Sequence, residues 1–306
     1  IGSLEIYKNY QHLSSFNYSL NGEMKLVNMR VESSYNSAHV GYQMFDYTSE
    51  QMVLGLLQCG VRYLEFNIYN SVFGNKAIPM VSMGYRVGEW KMCLTDIPFE
   101  MCANIISKNA FKITDSTGEG VPNPDDPIFI GLVLNTNSNL DCLNVLADIL
   151  MDYFGERFIN PRYSYQNTNE IGQITMTELM GRVAIFTSDG YQGSKLEEIV
   201  NYCWDNVENN PKHALKRLHY SELFKPGFNK NELIEFNQKG LTIIVPHEEG
   251  DFFNTNYNPV IAKQLGCQFI AMEFQYVDAN MDYYITLFQS RAMVMKDSDL
   301  LAGQPN

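Results

Sequence analysis

The stretch that decides the fold is residues 127–154, PIFIGLVLNTNSNLDCLNVLADILMDYF. After Pro127, the segment Ile128–Leu134 is apolar almost without interruption, which is typical of a strand buried on both faces of a sheet. Leu140–Phe154 follows with apolar residues at three- and four-residue spacing, which predicts a helix with one apolar face. A buried strand followed by an amphipathic helix is the repeating unit of a parallel sheet.

The same alternation recurs on both sides of this stretch. The predicted strands are Lys25–Val31, Val61–Ile68, Ile128–Leu134, Arg182–Phe186, Ala214–Tyr220, Leu241–Val245 and Cys267–Glu273, with an extra pair within Ile78–Val87. The predicted helices are Ser49–Gln58, Asp96–Lys108, Leu140–Phe154, Lys230–Lys239 and Asn258–Leu265, while Lys195–Glu208 is a helix or a linker and Met281–Gln289 completes the set. Seven or eight strands with intervening helices fit a closed (β/α)8 barrel better than an open doubly wound sheet. The predicted fold class is therefore α/β, a TIM-like barrel that is regular or distorted.

The local composition sets the expected domain boundaries. Residues 1–23 are rich in Ser, Tyr and Asn and are predicted to form an irregular N-terminal arm. The barrel is assigned to 24–290, and a C-terminal tail to 291–306. Within the barrel, the first half covers about 24–190, a connector about 188–211, and the second half about 212–290. We expect an exposed contact segment in the arm, formed by Tyr7, Tyr10, Phe16 and Tyr18.

Composition excludes several classes of protein. Hydrophobic residues make up 45% of the chain and charged residues 19%, which excludes an intrinsically disordered protein. No apolar run approaches about 20 residues, so we expect no membrane-spanning helix. The six cysteines show no paired short spacing, which argues against a zinc site and a disulfide framework. A net charge of −13 repels phosphate backbones and anionic lipids, so we expect a soluble protein that binds no nucleic acid and has little affinity for membranes.

Two motif series stand in the two halves of the predicted barrel. The second half carries Asn256-Tyr257-Asn258-Pro259, then Gly266-Cys267-Gln268 and Met281-Asp282. The first half carries Ser33-Ser34-Tyr35-Asn36 and Cys59-Gly60-Val61-Arg62-Tyr63-Leu64-Glu65. Both series resemble motifs in the catalytic barrel of eukaryotic phosphoinositide-specific phospholipase C, and the second-half series does so at the same spacing. The resemblance covers roughly Met24 to Gln289.

The resemblance implies a defined chemistry. Members of this family cleave a phosphodiester by attack of the inositol 2-hydroxyl. They use two histidines for proton transfer, and an Asn, two Glu and an Asp to hold calcium, a hard cation that prefers oxygen ligands.

The sequence departs from this pattern at the positions that transfer protons. The first family histidine corresponds to Tyr35, whose ordinary pKa of about 10 makes it a poor acid or base at neutral pH. The second corresponds to Met83, which carries no titratable proton. We therefore assign no catalytic residue to the motif positions.

The positions for calcium and substrate depart as well. Asn36 and Glu65 match metal-ligand positions, but the family's Asp corresponds to Asn67 and its remaining Glu to Asn135, so one carboxylate is left where the family has three. The expected cofactor is therefore none, with the family's calcium lost. The positions of the family's phosphate-binding Arg and ring-stacking Tyr are occupied by Ile243 and Val245.

Two histidines are candidate substitutes. His39 lies four residues after Tyr35 and could reach the site, although an exposed loop residue is the favoured interpretation. His247 follows the strand that ends at Val245, on the face where barrel enzymes carry their active sites, and precedes Glu248 and Glu249. For His247 a solvated loop is again the favoured interpretation.

Three functions remain open at this point. The first is a phospholipase C-like pseudoenzyme that serves as a structural or interaction protein with protein partners in an assembly. A large DNA virus particle is one such assembly, so the expected location is the cytoplasm or a virion, and the visible sequence does not indicate secretion. The alternative is an active phosphodiesterase or phospholipase of altered mechanism that uses Glu65 with His39 or His247. The third, binding of a lipid head group without cleavage, is disfavoured because the basic phosphate contacts are missing. The oligomeric state stays open.

Overall fold

The computed structural model describes residues 2–10, 13–41, 47–73, 76–82, 86–87, 90–91, 95–164, 166–167, 170–205, 215–247 and 255–303. The strands are β1 (Met29–Ser34), β2 (Tyr63–Phe73), β3 (Lys76–Val81), β4 (Arg86–Val87), β5 (Trp90–Lys91), β6 (Ile97–Pro98), β7 (Ile128–Asn135), β8 (Val183–Thr187), β9 (Tyr202–Cys203), β10 (Leu215–His219), β11 (Leu241–Val245), β12 (Phe269–Met272) and β13 (Met293–Met295). The helices are α1 (Gly2–Tyr10), α2 (Tyr18–Asn21), α3 (Glu50–Gln58), α4 (Phe99–Asn109), α5 (Leu140–Phe154), α6 (Met176–Leu179), α7 (Lys230–Asn237), α8 (Pro259–Gln264) and α9 (Ala279–Leu287).

Eight parallel strands form a nearly closed barrel. Their order is β10-β11-β12-β1-β2-β7-β8-β9, and each neighbouring pair along it is parallel. The two ends of this order meet through side chains, since the guanidinium of Arg217 on β10 lies over the ring of Trp204, just after β9, at 5.4 Å. The predicted TIM-like barrel is confirmed.

The alternation along each strand separates two apolar cores. One face of the strands fills the barrel interior, where the rings of Phe129, Phe186 and Phe269 pack with centroids 5.1 to 5.8 Å apart. The opposite face packs against the surrounding helices, as with Ile130 of β7 and Leu146 of α5. Successive strand residues point to opposite sides of the sheet. Both faces of a strand such as β7 are therefore buried, as its continuous apolar sequence indicates.

Two of the motif residues that carry the family resemblance hold the barrel together. The Tyr257 hydroxyl contacts the carbonyls of Ile244 on β11 and Ala271 on β12, at 3.1 and 2.7 Å. The two N–H groups of Gln268 Nε2 are shared among three buried carbonyls at 3.0 to 3.1 Å, and its Oε1 accepts from the backbone N–H of Thr242 at 2.9 Å. Buried polar side chains with this many partners fix the positions of neighbouring strands and loops. These motif residues are therefore structural.

The predicted irregular N-terminal arm is wrong, because residues 2–10 form a helix. Leu4 and Tyr7 of α1 are buried at three-residue spacing, which places them on one helical face. The backbone N–H of Phe16 and the hydroxyl of Tyr18 both donate to the carboxylate of Asp126 at 2.8 Å. The predicted exposed contact segment is therefore wrong for Tyr7 and Phe16, which are buried, and Tyr18 is partly buried. Tyr10 alone of the four is largely exposed, at 60%.

Other differences concern elements whose partners are distant in sequence. The predicted strand Lys25–Val31 begins later, at Met29, after a short 3-10 turn. Of the segment Lys195–Glu208, the described residues 195–205 contain a 3-10 turn and the unpredicted strand β9, and 206–208 lie outside the described residues. In 291–306, β13 pairs antiparallel with β1. None of the described helices is long and apolar enough to cross a membrane.

A buried amine follows β13. Lys296 is 4% exposed, and its Nζ donates to the carbonyl of Asn237 at 2.9 Å. Burial lowers the pKa of Lys296 to about 7, against the opposing effect of Cys267 and with a further lowering by Arg30. The side chain is therefore largely neutral in the folded protein at mildly alkaline pH.

This burial predicts a pH-dependent stability. An unfolded lysine has a pKa of about 10.4, so unfolding takes up a proton at Lys296 between about pH 7 and 10. The free energy of unfolding should rise with pH over this window, by up to about 1.4 kcal/mol per pH unit, and the gain is lost as the pH falls to about 7. Urea unfolding of the wild type and of Lys296→Met at several pH values in this window tests this expectation. A wild-type-minus-variant difference that does not change with pH would contradict it.

Candidate functional site

The predicted metal-ligand positions lie just after β1, within β2 and at the end of β7. The side-chain amide of Asn67 on β2 donates to Asn36 Oδ1 at 2.6 Å, and the amide of Asn135 on β7 donates to Asn67 Oδ1 at 3.4 Å. Side-chain hydrogen bonds therefore join three asparagines in a row across β1, β2 and β7. Asn67 both donates and accepts in this row, whereas Asn36 accepts and Asn135 donates, and these neutral side chains need no counter-ion.

A turn after β1 connects this row to Glu65. Asn36 has a φ of 47°, in the left-handed region that asparagine tolerates better than most residues. The next residue, Ser37, donates its backbone N–H to the carbonyl of Glu65 and accepts from the backbone N–H of Glu65 at its hydroxyl, both at 2.9 Å. The turn and the second barrel strand are therefore fixed to each other at the level of the site.

Glu65 is the only carboxylate among these four positions, and it is already engaged. Its side chain is 0% exposed. Arg217 donates from Nε to Oε2 at 3.1 Å and from Nη2 to Oε1 at 2.7 Å, and the hydroxyl of Tyr63 donates to Oε2 at 2.7 Å. Two-point pairing between a guanidinium and a carboxylate is stronger and geometrically more specific than a single neutral hydrogen bond.

Gly131 on β7 makes room for this arrangement. It pairs with Glu65 in the parallel register of β2 and β7. A Cβ at position 131 would lie 2.2 Å from the hydroxyl of Tyr63, far below contact distance. The absence of a side chain there lets Tyr63 reach the Glu65 carboxylate.

Sequence analysis did not identify Arg217 as a site residue. Leu215 lies in the interior core and Arg217 is two residues further along β10, so alternation places both on the interior face. Burial alone lowers the pKa of Arg217, but attraction to Glu65 and hydrogen bonds with it outweigh this effect and raise the pKa above its ordinary value. A charged residue at an interior position of a predicted strand is the signal that could have found it, since such residues are rarely buried without a partner.

Tyr35, at the first proton-transfer position, is partly buried beside the same ion pair. Its backbone N–H donates to the carbonyl of Met272. Burial raises the pKa of Tyr35 to about 12; Arg217 opposes this shift, whereas Glu65 and Glu273 add to it. The phenol is therefore neutral at physiological pH. Met83, at the second position, lies outside the described residues.

The substrate-side positions are apolar and inside the barrel. Ile243 and Val245 on β11 are fully buried in the interior core. Their side chains offer a phosphate neither charge nor hydrogen bonds.

The two candidate substitute histidines occupy different environments. His39 is 1% exposed, so the favoured interpretation of an exposed loop residue is wrong. Its burial follows from a tight turn, in which its backbone N–H donates to the carbonyl of Asn36 and position 39 bridges to Thr48. His247 is exposed, with its ring edge-on to Tyr220 at 5.9 Å between centroids. Glu248 and Glu249 lie outside the described residues.

The residues at this site do not fit calcium. Calcium takes six to eight oxygen ligands and needs negative charge from carboxylates. Here both oxygens of Glu65 accept from Arg217, and the amide oxygens of Asn36 and Asn67 accept from neighbouring amides. Within the described part of the chain, no group of three or more His, Cys, Asp or Glu side chains is arranged to hold a metal ion.

Two family models match the sequence. Phosphatidylinositol-specific phospholipase C, X domain, matches residues 24–188, and phosphatidylinositol-specific phospholipase C, Y domain, matches residues 195–297. The chain belongs to the phosphatidylinositol-specific phospholipase C family. The resemblance inferred from the motifs is thereby confirmed.

Solved structures share the fold of this phospholipase C-family barrel. L. pealei PLC21 matches with a TM-score of 0.73 and 19% identity over 92% of this chain and 38% of its own. S. officinalis PLC21 matches with a TM-score of 0.72, 19% identity and the same two shares. A calcium-dependent phosphoinositol-specific phospholipase C from Pseudomonas sp, a Gram-negative bacterium, gives a TM-score of 0.52 and 11% identity, over 90% of this chain and 97% of its own.

These identities are low enough that the likeness concerns the fold alone. This chain spans 38% of the length of the two PLC21 chains. No curated protein matches the sequence.

The close approach at Gly131 gives a testable expectation. Gly131→Ala should lower the free energy of unfolding by about 1–3 kcal/mol, because the new methyl group displaces Tyr63 from Glu65. Gly155→Ala is the matched control, since a Cβ there meets only Met151, at 3.5 Å or more. Chemical denaturation measures both variants. Equal losses of stability would contradict a specific role for the close approach.

Proposed function

We propose that this phospholipase C-family barrel does not hydrolyse phosphoinositides and serves as a structural or interaction protein. The observation that carries the proposal is the engagement of Glu65, whose two oxygens both accept hydrogen bonds from Arg217. A carboxylate that is fully buried and paired in this way is not free to bind a divalent cation. The Pseudomonas sp enzyme depends on calcium, and Glu65 is not available here as a calcium ligand.

Proton transfer supports the same conclusion. A general acid or base works best when its pKa lies near the working pH. Tyr35, with a pKa raised to about 12 by burial, stays protonated and cannot accept a proton from a substrate hydroxyl at neutral pH. The apolar side chains of Ile243 and Val245 add no group that could orient a phosphate.

We infer protein partners for this barrel. A net charge of −13 opposes binding to nucleic acids and to anionic membranes at long range. The cytoplasm and the interior of a virus particle are both compatible with a protein that acts through its surface, and both remain proposals.

An activity assay tests the proposal. Purified protein is incubated with phosphatidylinositol vesicles and millimolar CaCl₂, and release of inositol phosphate is measured. The expected result is a rate equal to the protein-free blank for the wild type and for Glu65→Gln. Turnover above the blank that is lost in Glu65→Gln, His39→Ala or His247→Ala would overturn the proposal. It would then favour an active enzyme of altered mechanism.

A further inference from the structure

Glu65 presents an electrostatic problem that the fold must solve. An ionised carboxylate with no exposed surface is strongly unfavourable in a protein interior unless a positive charge or several hydrogen bonds compensate it. A bound divalent cation is one source of such positive charge.

Arg217, in the second half of the barrel, supplies the positive charge that compensates the carboxylate of Glu65. It lies 152 positions further along the chain, on β10, while Glu65 is on β2. The guanidinium is itself mostly buried, with a side-chain exposure of 12%, and it lies over the ring of Trp204. Its position is therefore fixed by packing as well as by the ion pair.

The contacts of Glu65 show what would remain without this arginine. The hydroxyl of Tyr63 would still donate to Oε2 at 2.7 Å, but the two hydrogen bonds and the positive charge of the guanidinium would be lost. The carboxylate would then be fully buried without a compensating charge, and a divalent cation can supply that charge.

We infer that Arg217 is a built-in replacement for a bound cation: it lets the barrel assemble without a metal, and its removal turns Glu65 into a divalent-cation site. This inference concerns assembly and cation binding, so it stands or falls independently of whether the protein turns over a substrate.

Thermal unfolding of three proteins provides the test. Arg217→Met keeps the bulk of the side chain but leaves Glu65 uncompensated, and its melting temperature should fall by about 6–10 °C. Glu65→Gln combined with Arg217→Met removes both charges, and this matched double variant should recover at least half of the loss.

Addition of calcium supplies the second readout. In about 10 mM CaCl₂, the melting temperature of Arg217→Met should rise by about 3 °C, as expected for a Kd near 10⁻³ M. The wild type and the double variant should not respond, and NaCl of equal ionic strength should not reproduce the effect in Arg217→Met.

Several outcomes would overturn the inference. One is a wild type that calcium stabilises as much as it stabilises Arg217→Met. Another is a double variant no more stable than Arg217→Met, or an Arg217→Met variant that calcium leaves unchanged. If Arg217→Met does not fold, the double variant decides the question, because it should fold if an uncompensated charge was the cause. Failure of the double variant to fold would overturn the inference. The activity assay is a separate test. Turnover by the wild type would contradict the proposed function, but it would not contradict the inference about Arg217.

Discussion

The ion pair between Glu65 and Arg217 joins the two halves of the barrel at its centre. One partner lies on β2 and the other on β10, so the pair connects segments that belong to the X and Y matches, respectively. A buried carboxylate and a buried guanidinium are each destabilising unless an opposite charge or hydrogen bonds offset the loss of hydration. The surroundings are consistent with this constraint: Gly131 leaves room for Tyr63, and Tyr63 donates a further hydrogen bond to the carboxylate. The site is therefore a closed set of mutual contacts among the chain's own residues.

The fold and the chemistry of this family are carried by different residues. Tyr257 and Gln268 each bind backbone groups of several barrel elements, and these contacts do not involve a substrate. Such structural residues identify the sequence as a family member, independently of which residues occupy the candidate site. Function must be argued from the side chains at the site, and here they bind one another.

Local sequence patterns predicted the fold where the interactions are local. Helix Leu140–Phe154 has the predicted bounds because its apolar spacing and its Asn139 cap lie within one segment. Strand Leu241–Val245 was likewise predicted at its observed bounds. The short strand β9 and the terminal strand β13 were missed, because each is defined by a partner strand that lies far away in sequence.

The candidate site shows the same division. The resemblance to the family placed Asn36, Glu65, Asn67 and Asn135 at one site. It could not reveal Arg217, since the pairing joins β10 to β2, a strand that is not its neighbour, across the barrel interior. It also could not reveal the burial of His39, which results from a turn that bridges to Thr48.

The central claim is that the chain supplies its own cation at Glu65. Titration calorimetry of CaCl₂ into the purified wild-type protein tests this claim most directly. The account predicts only heats of dilution up to millimolar calcium. Saturable binding with a Kd tighter than about 10⁻⁴ M, within the range of protein calcium sites, would contradict it.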